Sequence, residues 1–464
     1  MKKNYLNIIL FTVLLGFFHA NDKLPYIEEY LLDNGMRILI APNYDTPSVA
    51  MQIWIDAGRL DDPIGKPGLS QRVFDGLYHG TDKFSTAKDL EDAFNGLGND
   101  TWRSFASRSI GYDNISIGLQ SFLKSDTENA IEVMSEILRR PTFRGYKGWI
   151  HKIFKKIFLP LTPRSLLKYD GWDEMINHSV YLLNGFYEPI RPHLSVYTRK
   201  EVRRWHEQHI RPDNITIMVS GDINSLYIKR LVNKYFGDWS PSIETDKART
   251  YDLNEGNHIR VIDRPENVTY LRLTFPSTEL DNFWSPPIQM ALIAFGKIAN
   301  NRLEYLHNYY LDQAGSIGVE WQQSNRIPFA AINSFALPYS HVDRFYDLLI
   351  DEFKKPITPK ELENAKRWRA NVYKNARNSG NANLNTHVQY YYSQNGYSIR
   401  GVDNMISDIN DVTLEQVNSA AQKVFNPNNF KAVIVGSKDS LSTFVNKFEN
   451  VEYFQRLDEI NSNE

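Results

Sequence analysis

Residues 198–226 read TRKEVRRWHEQHIRPDNITIMVSGDINSL, and residues 413–441 read TLEQVNSAAQKVFNPNNFKAVIVGSKDSL. Superposed without gaps at a constant offset of 215, they share Thr198/Thr413, Val202/Val417, Pro212/Pro427, Asn214/Asn429, Gly221/Gly436, Ser225/Ser440 and Leu226/Leu441. Seven identities in 29 positions exceed the roughly two that unrelated segments would share, which marks an internal duplication. Each copy also makes the same physical sense. A threonine stands where an N-cap oxygen accepts from first-turn N–H groups. An amphipathic helix follows and stops at a Pro-x-Asn turn. A short β-branched run, Ile215–Val219 or Phe430–Val435, then closes on glycine.

The duplication sets the organisation: an N-terminal domain over residues 21–245 and a C-terminal domain over residues 246–464. The joint from Ser240 to Asn257 is polar and lacks apolar periodicity. Outward from the repeats, Met36–Ile40 and Ser48–Ile55 read as consecutive strands, the second placing Val49, Met51, Ile53 and Ile55 on one face. Asn114–Leu119 alternates likewise and precedes a helix over Asp126–Arg139. In the second half, His258–Ile262 and Val268–Phe275 mirror the opening strands, and Pro286–Leu306 and Thr358–Arg377 read as helices. The class that follows is α+β: two homologous domains, each a mostly antiparallel β-sheet with helices packed on one face.

Composition narrows the function classes. The chain has 464 residues, 42% hydrophobic and 23% charged, the balance of a globular protein. A net charge of -2 argues against a general nucleic-acid binder. Cysteine is absent, which excludes disulfides and thiolate zinc sites. At the N-terminus Lys2 and Lys3 precede an apolar run, Ile8–Phe18, and then His19-Ala20-Asn21-Asp22. That is the pattern of a secretory signal over residues 1–20, and the run is shorter than the ~20 residues a membrane span needs. The expectation is export, to the periplasm of a Gram-negative bacterium, with no transmembrane segment after signal cleavage.

Three further stretches carry a resemblance. Asn34–Asn43 reads NGMRILIAPN, Ile55–Ser85 reads IDAGRLDDPIGKPGLSQRVFDGLYHGTDKFS, and Arg139–Phe143 reads RRPTF. In this order, together with the two repeats, they resemble the insulinase/pitrilysin-type zinc metallopeptidase family in its processing-peptidase-like bacterial branch, over most of residues 25–445. The family motif is Gly-Leu-x-His-x-x-Glu-His, followed five residues later by Gly-Thr. Gly68-Leu69 and Gly80-Thr81 match its two ends without a gap. The first zinc histidine then falls on Gln71, the catalytic glutamate on Phe74 and the second zinc histidine on Asp75.

The chemistry fails at all three positions. Two histidines at i and i+4 grip zinc from one helical face, and the glutamate takes the proton from zinc-bound water. An amide is a weak ligand, and a phenyl ring moves no proton. The third ligand, a glutamate, belongs roughly 75 residues downstream in the family. From Ile137 to Tyr169 there is no Asp or Glu, against nine Lys or Arg. Within this stretch Gly145–Phe158 reads as a basic amphipathic helix, which would repel a dication. The basic stretch Arg139–Lys168 also admits a membrane-surface or acidic-partner reading, beside the plainer one of a packed helix with solvated lysines. In the second half the family's substrate-holding tyrosine falls on Ile317 and its arginine on Asn308 to Tyr310. Arg302, a turn or two earlier, is a substitute candidate.

The resemblance therefore implies a non-catalytic member. No catalytic or metal residue is assigned, Gln71, Phe74 and Asp75 being vestigial positions, and zinc is expected only in an active partner. The function expected is a pseudo-peptidase subunit that forms half of a clamshell chamber with a partner bearing the intact motif and assists peptide binding or stability. A homodimer is the alternative assembly, with unfolded peptides as ligands. One alternative function is a stand-alone peptide-binding or holdase protein, which adds an extended peptide to a sheet edge. Another is an active metalloendopeptidase with a relocated metal site, built from Asp75, His79 and His151. The pair His206-x-x-His209 has a spacing that superficially suggests ligands; packing of an ordinary helix is the simpler reading.

Overall fold

The two repeated segments fold alike. Residues Arg199–His209 (α5) and Leu414–Val424 (α11) are helices. The Thr198 and Thr413 hydroxyls accept from the N–H groups of Glu201 and Gln416, whose side chains reach back to the threonine N–H groups. Two capping boxes thus sit at corresponding positions. The strands that follow are Ile215–Gly221 (β6) and Lys431–Gly436 (β11). The structure is a computed structural model describing residues 28–44, 47–63, 65–97, 106–144, 171–184, 197–240, 255–264, 268–277, 285–296, 301–303, 316–322, 326, 328–378 and 401–454. The signal over residues 1–20, the centre of the joint, the basic helix Gly145–Phe158 and positions Asn308 to Tyr310 lie outside the described residues.

The other first-half strands are Glu28–Leu31 (β1), Arg37–Pro42 (β2), Ser48–Ile55 (β3), Ala106–Ile110 (β4) and Ile115–Leu123 (β5). The second half adds His258–Asp263 (β7), Thr269–Pro276 (β8), Ser316–Gln322 (β9), Phe329–Leu337 (β10) and Val451–Phe454 (β12). Two six-stranded sheets result, in the orders β1-β2-β6-β3-β5-β4 and β12-β7-β11-β8-β10-β9. Five strands correspond one to one. The sixth does not: β1 pairs antiparallel with β2, whereas β12 pairs parallel with β7. The same edge of each sheet is completed from opposite ends of the described chain.

First-half helices are Leu69–Gly76 (α1), Ala87–Asn95 (α2), Thr127–Arg139 (α3), Gly171–Asn184 (α4), α5 and Ser225–Phe236 (α6). Those of the second half are Pro286–Gly296 (α7), Tyr339–Lys354 (α8), Pro359–Asn378 (α9), Gly401–Asn410 (α10), α11 and Lys438–Val445 (α12). Val49, Met51, Ile53 and Ile55 of β3 share one core with Val73 of α1 and Leu77 just after it, Ile131 of α3, Trp205 of α5 and Ile228 of α6. The second core stacks Phe353 on Phe425 at 5.1 Å between ring centres and sets Phe275 edge-on to both. Burial of such large apolar surfaces is the main stabilising term on each sheet.

Contact between the halves is extensive. Leu39, Ala41, Trp54 and Met218, on the other face of the first sheet, belong to the second half's core. The first-half helix α4 lies on the second sheet, packing Met175 and Leu182 against Ile262, Val433 and Val435. There the His178 Nδ1 lies 2.9 Å from an Arg260 guanidinium nitrogen. Burial, and then the charge of Arg260, push the imidazole down to about 3. His178 is therefore neutral at ordinary pH and accepts the bond.

Candidate functional site

The helix α1 is placed by two glycines. Gly68 precedes it with φ 86° and Gly80 follows it with φ 132°, backbone that L side chains rarely adopt. A Cβ on Gly80 would meet the Ser85 carbonyl oxygen at 2.6 Å. The turn after α1 is fixed from the far side by Arg139–Phe143: Thr142 N–H donates to the Gly80 carbonyl (2.9 Å) and Asp82 N–H to the Arg140 carbonyl (3.2 Å). Phe143 takes φ 51°, rare for a bulky residue, and its buried ring closes on Gly76, where a Cβ would lie 2.7 Å from it. The stretches at Ile55–Ser85 and Arg139–Phe143 therefore form one unit around α1.

The start of α1 is held by a buried carboxylate that sequence reasoning missed. Asp62 accepts from the N–H groups of Gly68 (2.5 Å) and Ser70 (2.7 Å). Burial pushes its carboxyl up to about 7, against the lowering effect of those bonds. Beside it Asp61 accepts from the Arg326 Nη1 at 2.9 and 3.0 Å, an ion pair with both side chains largely buried. Arg326 comes from the second half, 265 residues away, so the loop entering α1 is anchored across the molecule.

On this platform Gln71 and Asp75 lie one turn apart on the outward stripe of α1, and the Gln71 amide donates to the Asp75 carboxylate at 3.0 Å. The Arg59 Nη2 approaches the Gln71 Oε1 at 3.5 Å. Phe74 is buried in the first core, edge-on to Tyr78 at 6.3 Å. His79 is exposed in the turn after the helix. These groups do not suit zinc. The donors are one amide and one carboxylate already hydrogen-bonded to each other, with a guanidinium beside them and a hydrocarbon ring at the place of the base. Among the described residues no group of three or more His, Asp or Glu is gathered to hold a metal ion.

The two histidines of α5 have structural surroundings. The His206 Nε2 lies 2.8 Å from the Leu138 carbonyl, and the ring meets Phe143 edge-on. Burial pushes its imidazole down to about 4, so the ring is neutral and that nitrogen donates. His209 lies against Trp205 at 4.6 Å between ring centres. Arg302 corrects the expectation that it holds substrate. Its Nε and Nη2 bond Glu361 at 2.7 and 2.9 Å, and its remaining N–H groups bond the carbonyls of Glu352, Lys355 and Pro356. Five donors meet five acceptors, leaving none for a peptide. Burial raises the Glu361 carboxyl, but Arg302 and Thr358 outweigh it and hold it at about 2. Ile317, in β9, packs against the second core.

A duplicated α+β chain with a glycine-framed helix on its first sheet is the architecture of an M16-type peptidase unit. The peptidase M16 inactive domain matches residues 197–367. An uncharacterized zinc protease, YmxG, of Bacillus subtilis is 21% identical over 420 residues, covering 86% of this chain and 96% of its own. A protease from Helicobacter pylori shares the fold with a TM-score of 0.71 at 14% identity, over 89% of this chain and all of that one. The periplasmic protease PqqL from Escherichia coli superposes with a TM-score of 0.64 at 15% identity, over 91% of this chain but 49% of its own. These matches place the chain's similarity with the insulinase/pitrilysin-type (M16) peptidase family.

Proposed function

We propose that this chain is a non-catalytic subunit of an exported insulinase-type zinc protease, forming half of a clamshell chamber with an active partner. The observation that carries this reading is α1 itself. Its frame is intact, with both positive-φ glycines, the buried Asp62 cap and the Arg139–Phe143 clasp, while Gln71, Phe74 and Asp75 supply neither a ligand set nor a base. A frame kept without its chemistry fits a chain that works through its shape. The half-length coverage of PqqL supports a second unit of similar size, and that protein's description as periplasmic supports export. Among the described residues no helix is long and apolar enough to cross a membrane. In the assembly proposed, zinc resides in the partner, and this chain supplies wall, stability and contacts to unfolded peptide.

The test is affinity capture of the full chain from its native cells. A co-purifying polypeptide with an intact His-x-x-Glu-His helix, and chelator-sensitive cleavage of denatured protein by the complex alone, is the expected result. Capture of this chain as a lone homodimer would reject the heteromeric assembly.

A further inference from the structure

Arg199 and Arg203, one turn apart on α5, converge on a single carbonyl. The Thr142 oxygen accepts from the Arg199 Nε at 3.2 Å, from the Arg199 Nη2, and from the Arg203 Nη2 at 3.4 Å. Arg144 is two residues further along, its N–H donating to the Thr142 Oγ1 at 3.4 Å. All three side chains are on exposed residues, and none meets a carboxylate among the described residues. Close packing, and then the charges of Arg203 and Arg144, hold the Arg199 guanidinium below its usual range. Like charges so gathered lower their energy when an anion joins them.

Through Arg203 the patch adjoins a cleft of about 300 Å³ whose charged lining is Arg139, Arg140, Arg203 and Arg211 together with Asp82 and Glu207. Arg139, Arg140 and Arg211 are already paired, with Asp238, Glu136 and Asp213. Among the described residues Arg144, Arg199 and Arg203 meet no carboxylate, and exposed Lys200 and Arg204 extend the basic face along α5. Planar guanidinium forks match carboxylates in two-point contact. A membrane surface would call for an apolar anchor beside the charge. The exposed large apolar side chains of the described residues, Leu31, Tyr44, Leu123, Leu226, Tyr227 and Tyr453, do not line the cleft.

We infer that the Arg144–Arg199–Arg203 surface binds a carboxylate-rich segment of a partner polypeptide. The inference is independent of any chemistry at α1. It is tested with the full chain by fluorescence anisotropy of a labelled Glu/Asp-rich peptide, with a Lys-rich peptide, inorganic phosphate and phosphatidylglycerol vesicles as comparison probes. The acidic peptide binds, and its affinity falls steeply with added salt. The triple variant R144Q/R199Q/R203Q weakens it by about tenfold or more, while K88Q, on α2, leaves it unchanged. Because Arg199 and Arg203 also bond Thr142, R144Q alone is the check on folding: it keeps the thermal midpoint and weakens binding by roughly threefold. Absence of acidic-peptide binding, binding indifferent to R144Q and to the triple variant, or arginine-dependent capture of vesicles or phosphate without the peptide would overturn the assignment.

Discussion

The helices α1 and α7 occupy corresponding places in the duplicated halves. Each follows the second core strand of its sheet, and each packs on the helix of its repeat, α5 or α11. Their surroundings have diverged. The eight-residue α1 keeps a polar outward stripe of Gln71 and Asp75. In the eleven-residue α7 every residue from Ile288 to Phe295 is buried, Gln289 included. A helix apolar on all sides is a core element, and the second core also takes in Leu39, Ala41, Trp54 and Met218 from the first sheet. Duplication supplied two equivalent helices. One now joins the halves, and the other presents a surface.

The contrast makes graded predictions. Leu292→Ala, inside α7, should cost about 2–5 kcal/mol, the usual range for emptying a packed leucine site, whereas Gln71→Ala should stay within about 0.5 kcal/mol. Urea unfolding of both variants measures the gap, and equal losses would break the comparison. The second prediction concerns the base of α1. The folded Asp62 carboxyl titrates at about 7 against an ordinary 3.8, so the folded state binds this proton more tightly than the unfolded state. Its contribution to stability is full below about 4 and is lost as pH rises through 7. Thermal melts from pH 5 to 8 should show this fall, and Asp62→Asn should flatten it.

Arg326→Met tests the anchor between the halves. It leaves Asp61 largely buried without its cation, and about 2 kcal/mol should be lost. The chain should then open first around α1, read by hydrogen exchange at Leu69–Gly76. The smallest expected effects are at the repeated caps. Thr198→Ala and Thr413→Ala should each cost about 1 kcal/mol, and similar values would mark the part of the repeat that has not diverged.

The repeat was legible because capping threonine, Pro-x-Asn turn and closing glycine are local signals, and both copies carry them. So was the frame of α1, whose glycines at 68 and 80 are imposed by backbone geometry. What the sequence hid was long-range. Asp61 and Asp62 drew no reading from the sequence, because nothing near them announces Arg326 or the buried cap. Arg302 read as a candidate to hold substrate because its acceptors lie some 50 to 59 residues away, three of them backbone carbonyls. The composition of α4 likewise does not say that it lies on the second half's sheet. Sequence periodicity reports which face of an element is apolar; it does not report which neighbour covers it.

Among the described residues the first half gathers no site for zinc around α1. The most direct measurement is metal content of the purified full chain, by inductively coupled plasma mass spectrometry after dialysis against metal-free buffer, beside an M16 peptidase with an intact motif. Well under one zinc per chain is expected here, and about one per chain in the active enzyme. One zinc retained per chain, and lost on substituting Asp75 or His79, would contradict this expectation.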